Sequence, residues 1–144
     1  MSTKKKILLL LFLFVLAMAA IGFYFYNKGP QDTRDSYALP TTANELYQAY
    51  AGDSSAAQKK YSGKVLLVNG VIAKLDTNQQ TEALVFLKTN EPGAYINCSM
   101  EKSNAILKLN DHVKIRGFCS GIGQGDADLG IKADVYLTRC WIAK

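Results

Sequence analysis

Lys64-Val65-Leu66-Leu67-Val68-Asn69-Gly70-Val71-Ile72-Ala73-Lys74-Leu75-Asp76 is the stretch on which the fold of this chain turns. Its period is 2, and near its middle it is apolar on both faces, through Leu66, Leu67, Val68, Val71 and Ile72. A strand with one solvated face alternates cleanly, so apolarity on both parities marks a strand that bends between two sheets. Asn69-Gly70 interrupts it, and Gly70 supplies the bend or bulge.

Downstream the alternation continues. Asp76–Gln80 reads as a polar turn and Glu82–Lys88 as a second strand, with Leu84 and Phe86 on one face and Val85 and Leu87 on the other. Asn90-Glu91-Pro92-Gly93 turns the chain. Ala94–Met100 is a third strand, with Ile96, Cys98 and Met100 opposed to Tyr95, Asn97 and Ser99. Glu101–Asn110 is a charged connector long enough for one helical turn. Asp111–Cys119 alternates most clearly, with Val113, Ile115, Gly117 and Cys119 inward and His112, Lys114, Arg116 and Phe118 outward. A Gly/Asp-rich loop, Ser120–Gly130, leads to a last strand, Ile131–Ile142. Parity slips there between Val135/Leu137 and Cys140/Ile142, which predicts a bulge near Thr138-Arg139.

Upstream the period is 3.6. Thr42-Ala43-Asn44-Glu45 is a capping-box pattern, so Thr42–Ala51 reads as a helix stopped by Gly52. Asp53 or Ser54 caps a second short helix, Ser55–Tyr61. The expected fold is mainly β: a five-stranded OB-type barrel, spanning about 62–144, preceded by two short helices. Closing the barrel removes strand edges that would otherwise aggregate.

The first residues set the location. Lys4-Lys5-Lys6 precede Ile7–Tyr26, an uncharged run long enough to cross a hydrocarbon core of about 30 Å. The positive-inside rule keeps the lysines in the cytosol and sends the rest across. Ala17-Met18-Ala19 fits a signal-cleavage site, giving secretion after cleavage near Ala19 as the alternative. The run continues past it to Tyr24 and Tyr26, placed as an interfacial aromatic belt, and this favours an uncleaved anchor. Residues 1–26 are therefore lysines and transmembrane helix, 27–40 a polar linker, and 41–144 the helical pair with its barrel. The expected site is the bacterial inner membrane, single-pass, with the C-terminal domain extracytoplasmic.

Charge excludes one easy assignment. The chain carries 17 Lys+Arg and 12 Asp+Glu, but Lys4, Lys5 and Lys6 precede the anchor, leaving a net of +2 on residues 27–144. That lacks the concentrated basic footprint of a phosphate-binding surface. Cys98, Cys119 and Cys140 are either three buried core thiols or one disulfide plus a thiol, with the pairing open. Their even spacing matches no zinc site.

The runs Tyr61–Val71, Ile96-Asn97-Cys98-Ser99-Met100, Leu109–Gly121 and Asp134–Cys140 together resemble the tRNA-anticodon-binding-like OB family of bacterial membrane-anchored proteins. Gly117-Phe118-Cys119-Ser120-Gly121 is the most specific piece. Helix Asn44–Tyr50 and the exit Asn27-Lys28-Gly29-Pro30 add to the likeness. The resemblance implies an exported or anchored five-stranded barrel behind a helical pair; it carries over neither tRNA binding nor functional residues. The loop Gly121–Gly130 departs from the family by its length.

No side-chain set marks catalysis. Gly121-Ile122-Gly123-Gln124-Gly125 lies between strands, which is wrong for a dinucleotide loop. Asp126 and Asp128 read as turn acids, and His112 as a solvated lone histidine. No activated nucleophile, paired acids or metal set is legible, so the expectation is a non-enzyme without cofactor or metal. Phe86 and Tyr95 stand where an OB stacking platform would be, with Lys74, Lys88 and Arg116 to add charge. The functional expectation is a non-catalytic envelope binding module. A protein, peptide or glycan would lie between the loops Asp76–Gln80 and Ser120–Gly130. A single-stranded nucleic-acid binder is the first alternative, disfavoured by topology, and a structural component of an envelope complex is the second.

Overall fold

The computed structural model describes residues 2–27, 37–102 and 106–143. Two compact units result, Met1–Asp32 and Thr33–Lys144. Most of the expected linker and residues 103–105 of the connector lie outside the described residues.

The first unit contains helix α1, Thr3–Asn27, 25 residues with a mean hydropathy of 2.8 over its most apolar window. From Ile7 to Tyr26 uncharged, mostly aliphatic and aromatic side chains surround it, with no polar face to mark a soluble amphipathic helix. This is the length and apolarity shared by membrane anchors and signal sequences.

The second unit is a closed five-stranded barrel with one extra strand. Its elements are β1 (Leu39–Thr42), α2 (Ala43–Gly52), α3 (Ser54–Tyr61), β2 (Val65–Thr77), β3 (Ala83–Lys88), β4 (Tyr95–Met100), β5 (His112–Ile122) and β6 (Val135–Ile142). Around the barrel the order is β2-β3-β4-β6-β5, closed by β5 pairing back to β2. All barrel neighbours are antiparallel except β4 and β6.

The long strand β2 makes the closure possible. Val65–Val71 pair with β5, and Ile72–Thr77 pair with β3. The change of partner falls beside Gly70, where a Cβ would lie 3.1 Å from Ala43 Cβ and 3.2 Å from Leu87 Cδ1. Only a residue without a side chain lets helix, strand and bend approach so closely. A second irregularity follows at once. Ile72 pairs with Leu87 while Lys74 pairs with Phe86, so Ala73 is the extra residue of a bulge. Simple alternation would point Lys74 into the barrel with Ile72; the bulge turns it outward beside Phe86.

Three sequence expectations need correction. Leu39 and Pro40, assigned to the linker, begin β1, which runs parallel to the first half of β2 where β3 does not reach. Pro40 is tolerated because the strand lies at an edge. The last strand starts at Val135 and not at Ile131. Ile131 instead closes a small hairpin with Asp126, whose Oδ1 accepts from Asp128 N at 3.0 Å and Leu129 N at 3.1 Å. The fourth barrel strand runs on to Ile122, so the loop between the last strands begins later than expected. The bulge near Thr138-Arg139 is present, with register shifts on both sides of β6 and Arg139 at φ 50°.

One end of the barrel is plugged by the helices. Thr42 caps α2 through a complete capping box with Glu45, which stabilises the start by about 1 kcal/mol. Ala43, Leu46, Tyr47 and Tyr50 of α2 are buried, and the helix packs on β1, β2, β3, β4 and β6 while α3 packs on β5. Beneath them lie Leu66, Val68, Ile72, Val85, Leu87, Ile96, Ile115 and Leu137, all fully buried. Cys98, Cys119 and Cys140 share this core. Tyr50 Oη lies 3.5 Å from Cys119 Sγ, and Cys98 neighbours Cys140 across β4 and β6. Burial pushes the Cys98 and Cys119 thiols up, away from the reactive thiolate.

Candidate binding face

A row of side chains crosses the outside of the barrel on four adjacent strands. Lys74 of β2 pairs with Phe86 of β3, Phe86 with Asn97 of β4, and Asn97 with Tyr136 of β6. Neighbouring strands lie about 4.8 Å apart, so Phe86 and Tyr136 flank Asn97 across two strand spacings, roughly 9.5 Å. A second row, Lys88 and Tyr95, adjoins it. All these residues belong to the outward parity of their strands.

Packing fixes the aromatic groups. The Phe86 and Tyr95 rings meet edge to face with centroids 6.0 Å apart, and Lys74 Nζ stands 5.0 Å from the Phe86 centroid. Tyr136 is 42% exposed. The chain of the β5–β6 loop lies against its ring, since a Cβ on Gly123 would come within 2.6 Å of Tyr136 Cε2. Gly123 N donates to Asp134 O at 2.9 Å, so backbone pairing continues into the loop beside the face. The β2–β3 turn is likewise built, with Asn78 Oδ1 accepting from Gln80 N and Glu82 N, each at 2.9 Å. These two loops stand at opposite ends of the face, because β6 is parallel to β4 and antiparallel to the start of β3.

Electrostatically the face is close to balanced. Lys74 Nζ lies 3.3 Å from Asp76 Oδ2, and Lys132 pairs with Glu91 at the border. The backbone N–H of Thr77, then Lys74, hold the Asp76 carboxyl below its ordinary value. Asp134 Oδ1 accepts from Tyr95 N at 2.9 Å. Burial pushes the Asp134 carboxyl up, against the opposing pull of that N–H and of Lys74. Among the described residues Asn97 makes no side-chain hydrogen bond, although it is half-buried between two rings.

Of the residues singled out from the sequence, Lys74, Phe86 and Tyr95 come together here. Lys88 sits at the far end of β3 and also borders a cleft with Asn44, Asn69 and His112. Arg116 does not join them: it lies on β5, between Leu67 of β2 and Trp141 of β6. Trp141 Nε1 donates to Glu101 Oε2 at 3.1 Å on that side. Asn97, Tyr136 and Asp134 were missed. Alternation with Val135 and Leu137 already placed Tyr136 outward, and that signal was available.

Two solved structures superpose on the chain at low identity. One, titled "Crystal structure of a putative aspartyl-tRNA synthetase from Leishmania major Friedlin", superposes with a TM-score of 0.44 at 6% identity. It covers 79% of this chain, which spans 22% of that one. Another, "OBody AM3L09 bound to hen egg-white lysozyme", gives a TM-score of 0.39 at 20% identity, covering 59% of this chain and 86% of that one. No curated relative matches the chain. The tRNA_anti-like family profile matches residues 1–129, from the apolar helix through the fourth barrel strand and into the loop before β6. The chain belongs to the tRNA_anti-like family.

Proposed function

We propose that this chain is a non-catalytic binding module whose ligand lies on the outer face of β3, β4 and β6. Helix α1 tethers it to the membrane, and the domain works on the extracytoplasmic side. The observation that carries the reading is Asn97, a half-buried amide without a side-chain partner among the described residues, held between Phe86 and Tyr136. With one acceptor oxygen and two donor hydrogens in reach of solvent, its amide is suited to a polar group of an incoming ligand. Lys4-Lys5-Lys6 in the first turns of α1 support the extracytoplasmic orientation through the positive-inside rule.

A photo-crosslinking side chain at Tyr136, compared with one at Lys114 of β5, tests the face in intact cells. Adducts at position 136 and none at 114 are expected; the reverse pattern removes the assignment. Protease applied to spheroplasts with a tag after Lys144 tests the orientation, and a tag protected until lysis places the domain in the cytosol.

Lys74 above the Phe86 ring supports a second reading, single-stranded nucleic acid stacked on the same rings. It requires affinity that falls with salt, with a log–log slope of about −0.7 per phosphate contact.

A further inference from the structure

Building on the face assigned above, we infer that its ligand is a neutral glycan, bound with pyranose rings against Phe86 and Tyr136 and hydroxyls on the Asn97 amide. Three observations lead there. The bases at the border are mostly matched: Lys74 with Asp76 and Asp134, Lys132 with Glu91, leaving Lys88 at the end of its strand. A polyphosphate chain calls for an excess of cations along its path, and this face does not supply one.

The second observation is the absence of an open edge. Each of β3, β4 and β6 is hydrogen-bonded to a strand on both sides. A peptide therefore cannot add itself as a strand here, which closes the commonest way a sheet captures an extended chain.

The third is the chemistry of the row itself. The backbones that carry Phe86 and Tyr136 stand two strand spacings, about 9.5 Å, apart, close to a two-sugar repeat, so their rings are placed for the first and third pyranoses of an oligosaccharide. The C–H faces of a sugar pack on aromatic rings, while its paired hydroxyls ask for a planar group that both donates and accepts. Asn97 offers an acceptor oxygen and two donor hydrogens in one plane. The hydroxyls of Tyr95 and Tyr136 extend the polar reach at either side.

The test uses the full chain in a zwitterionic detergent without a sugar headgroup, so that the micelle does not compete. Cellohexaose and chitohexaose are titrated calorimetrically, beside an oligothymidylate, at low and at high salt. The expected result is saturable binding of a sugar that salt leaves unchanged. Asn97→Ala should weaken it about fivefold or more, the size of a net hydrogen bond. Tyr136→Ala should weaken it as well, Tyr136→Phe should keep the ring contact, and Lys114→Ala on β5 should change nothing. Circular dichroism of each variant separates lost binding from lost fold.

Oligothymidylate binding that falls with salt and with Tyr136→Ala, without sugar binding, overturns the glycan while the face stands. Sugar binding indifferent to both Asn97→Ala and Tyr136→Ala overturns the face and this inference together. Silence from both probes also overturns the inference.

Discussion

Strand β4 carries the barrel on one side and the candidate site on the other. Ile96, Cys98 and Met100 point inward and are at most 2% exposed. Tyr95, Asn97 and Ser99 point outward and are half-buried. The inner set is wholly apolar apart from a thiol and is enclosed by helices and strands. The outer set mixes a ring, an amide and a hydroxyl, and its amide has no side-chain partner among the described residues. On the proposed reading, stability and recognition fall on alternate residues of one six-residue strand. Substitutions should separate them.

The largest expected effect is on the inner side. Ile96→Ala removes a fully buried side chain from the core and should cost about 3 kcal/mol in denaturant unfolding. Tyr136→Ala, outward on the neighbouring strand and packed on the β5–β6 loop, should cost far less, about 1 kcal/mol. Equal losses for the two would mean that Tyr136 is structural, and the division between the two sides of the sheet would break.

A smaller effect is expected where the core is already full. A Cβ on Gly117 would lie 2.6 Å from Cys140 Sγ, and both the sulfur and the facing Leu137 are enclosed. Gly117→Ala should destabilise by about 1–3 kcal/mol through overpacking. The double variant Gly117→Ala with Cys140→Ala should recover part of that loss, because the added methyl then occupies the space the sulfur leaves. A loss that persists in the double variant would place the strain in the backbone of β5 instead.

How much of this was legible in the sequence follows from the range of each signal. The strands, the capping box at Thr42 and the bulge near Arg139 are local patterns of period or spacing, and they survive folding almost unchanged. Strand β1 was hidden because Leu39-Pro40-Thr41-Thr42 is too short to show a period and contains a proline. Its strand character comes from the exposed flank of β2, a tertiary cause. Lys74, Phe86 and Tyr95 were legible as candidates, yet the reason Lys74 faces outward is the Ala73 bulge, which alternation alone contradicts. Arg116 shows the limit most plainly. Its parity was read correctly, but parity says which side of a strand a residue takes and not which neighbours surround it. Barrel closure sets β5 between β2 and β6, and so keeps Arg116 with Leu67 and Trp141.

The smallest effect sharpens the comparison at the seam between the two sides. Asp134 sits just before β6, accepts from the backbone of Tyr95, and has its carboxyl pushed up by burial. A carboxyl raised in the folded state contributes stability that is full below its ordinary value of 3.8 and is lost as pH rises through the folded value. Asp134→Asn keeps an oxygen for the Tyr95 N–H and never ionises. Its stability relative to the parent should therefore rise across that acidic window and then level off towards neutral pH. The Lys74 attraction works against this trend, so the double variant measured against Lys74→Met should show a larger rise than Asp134→Asn measured against the parent. A relative stability that falls with pH would mean the ionised carboxylate is favoured by its neighbours. The face would then carry a charge-selective centre, where the pairing of its borders argues for a neutral one.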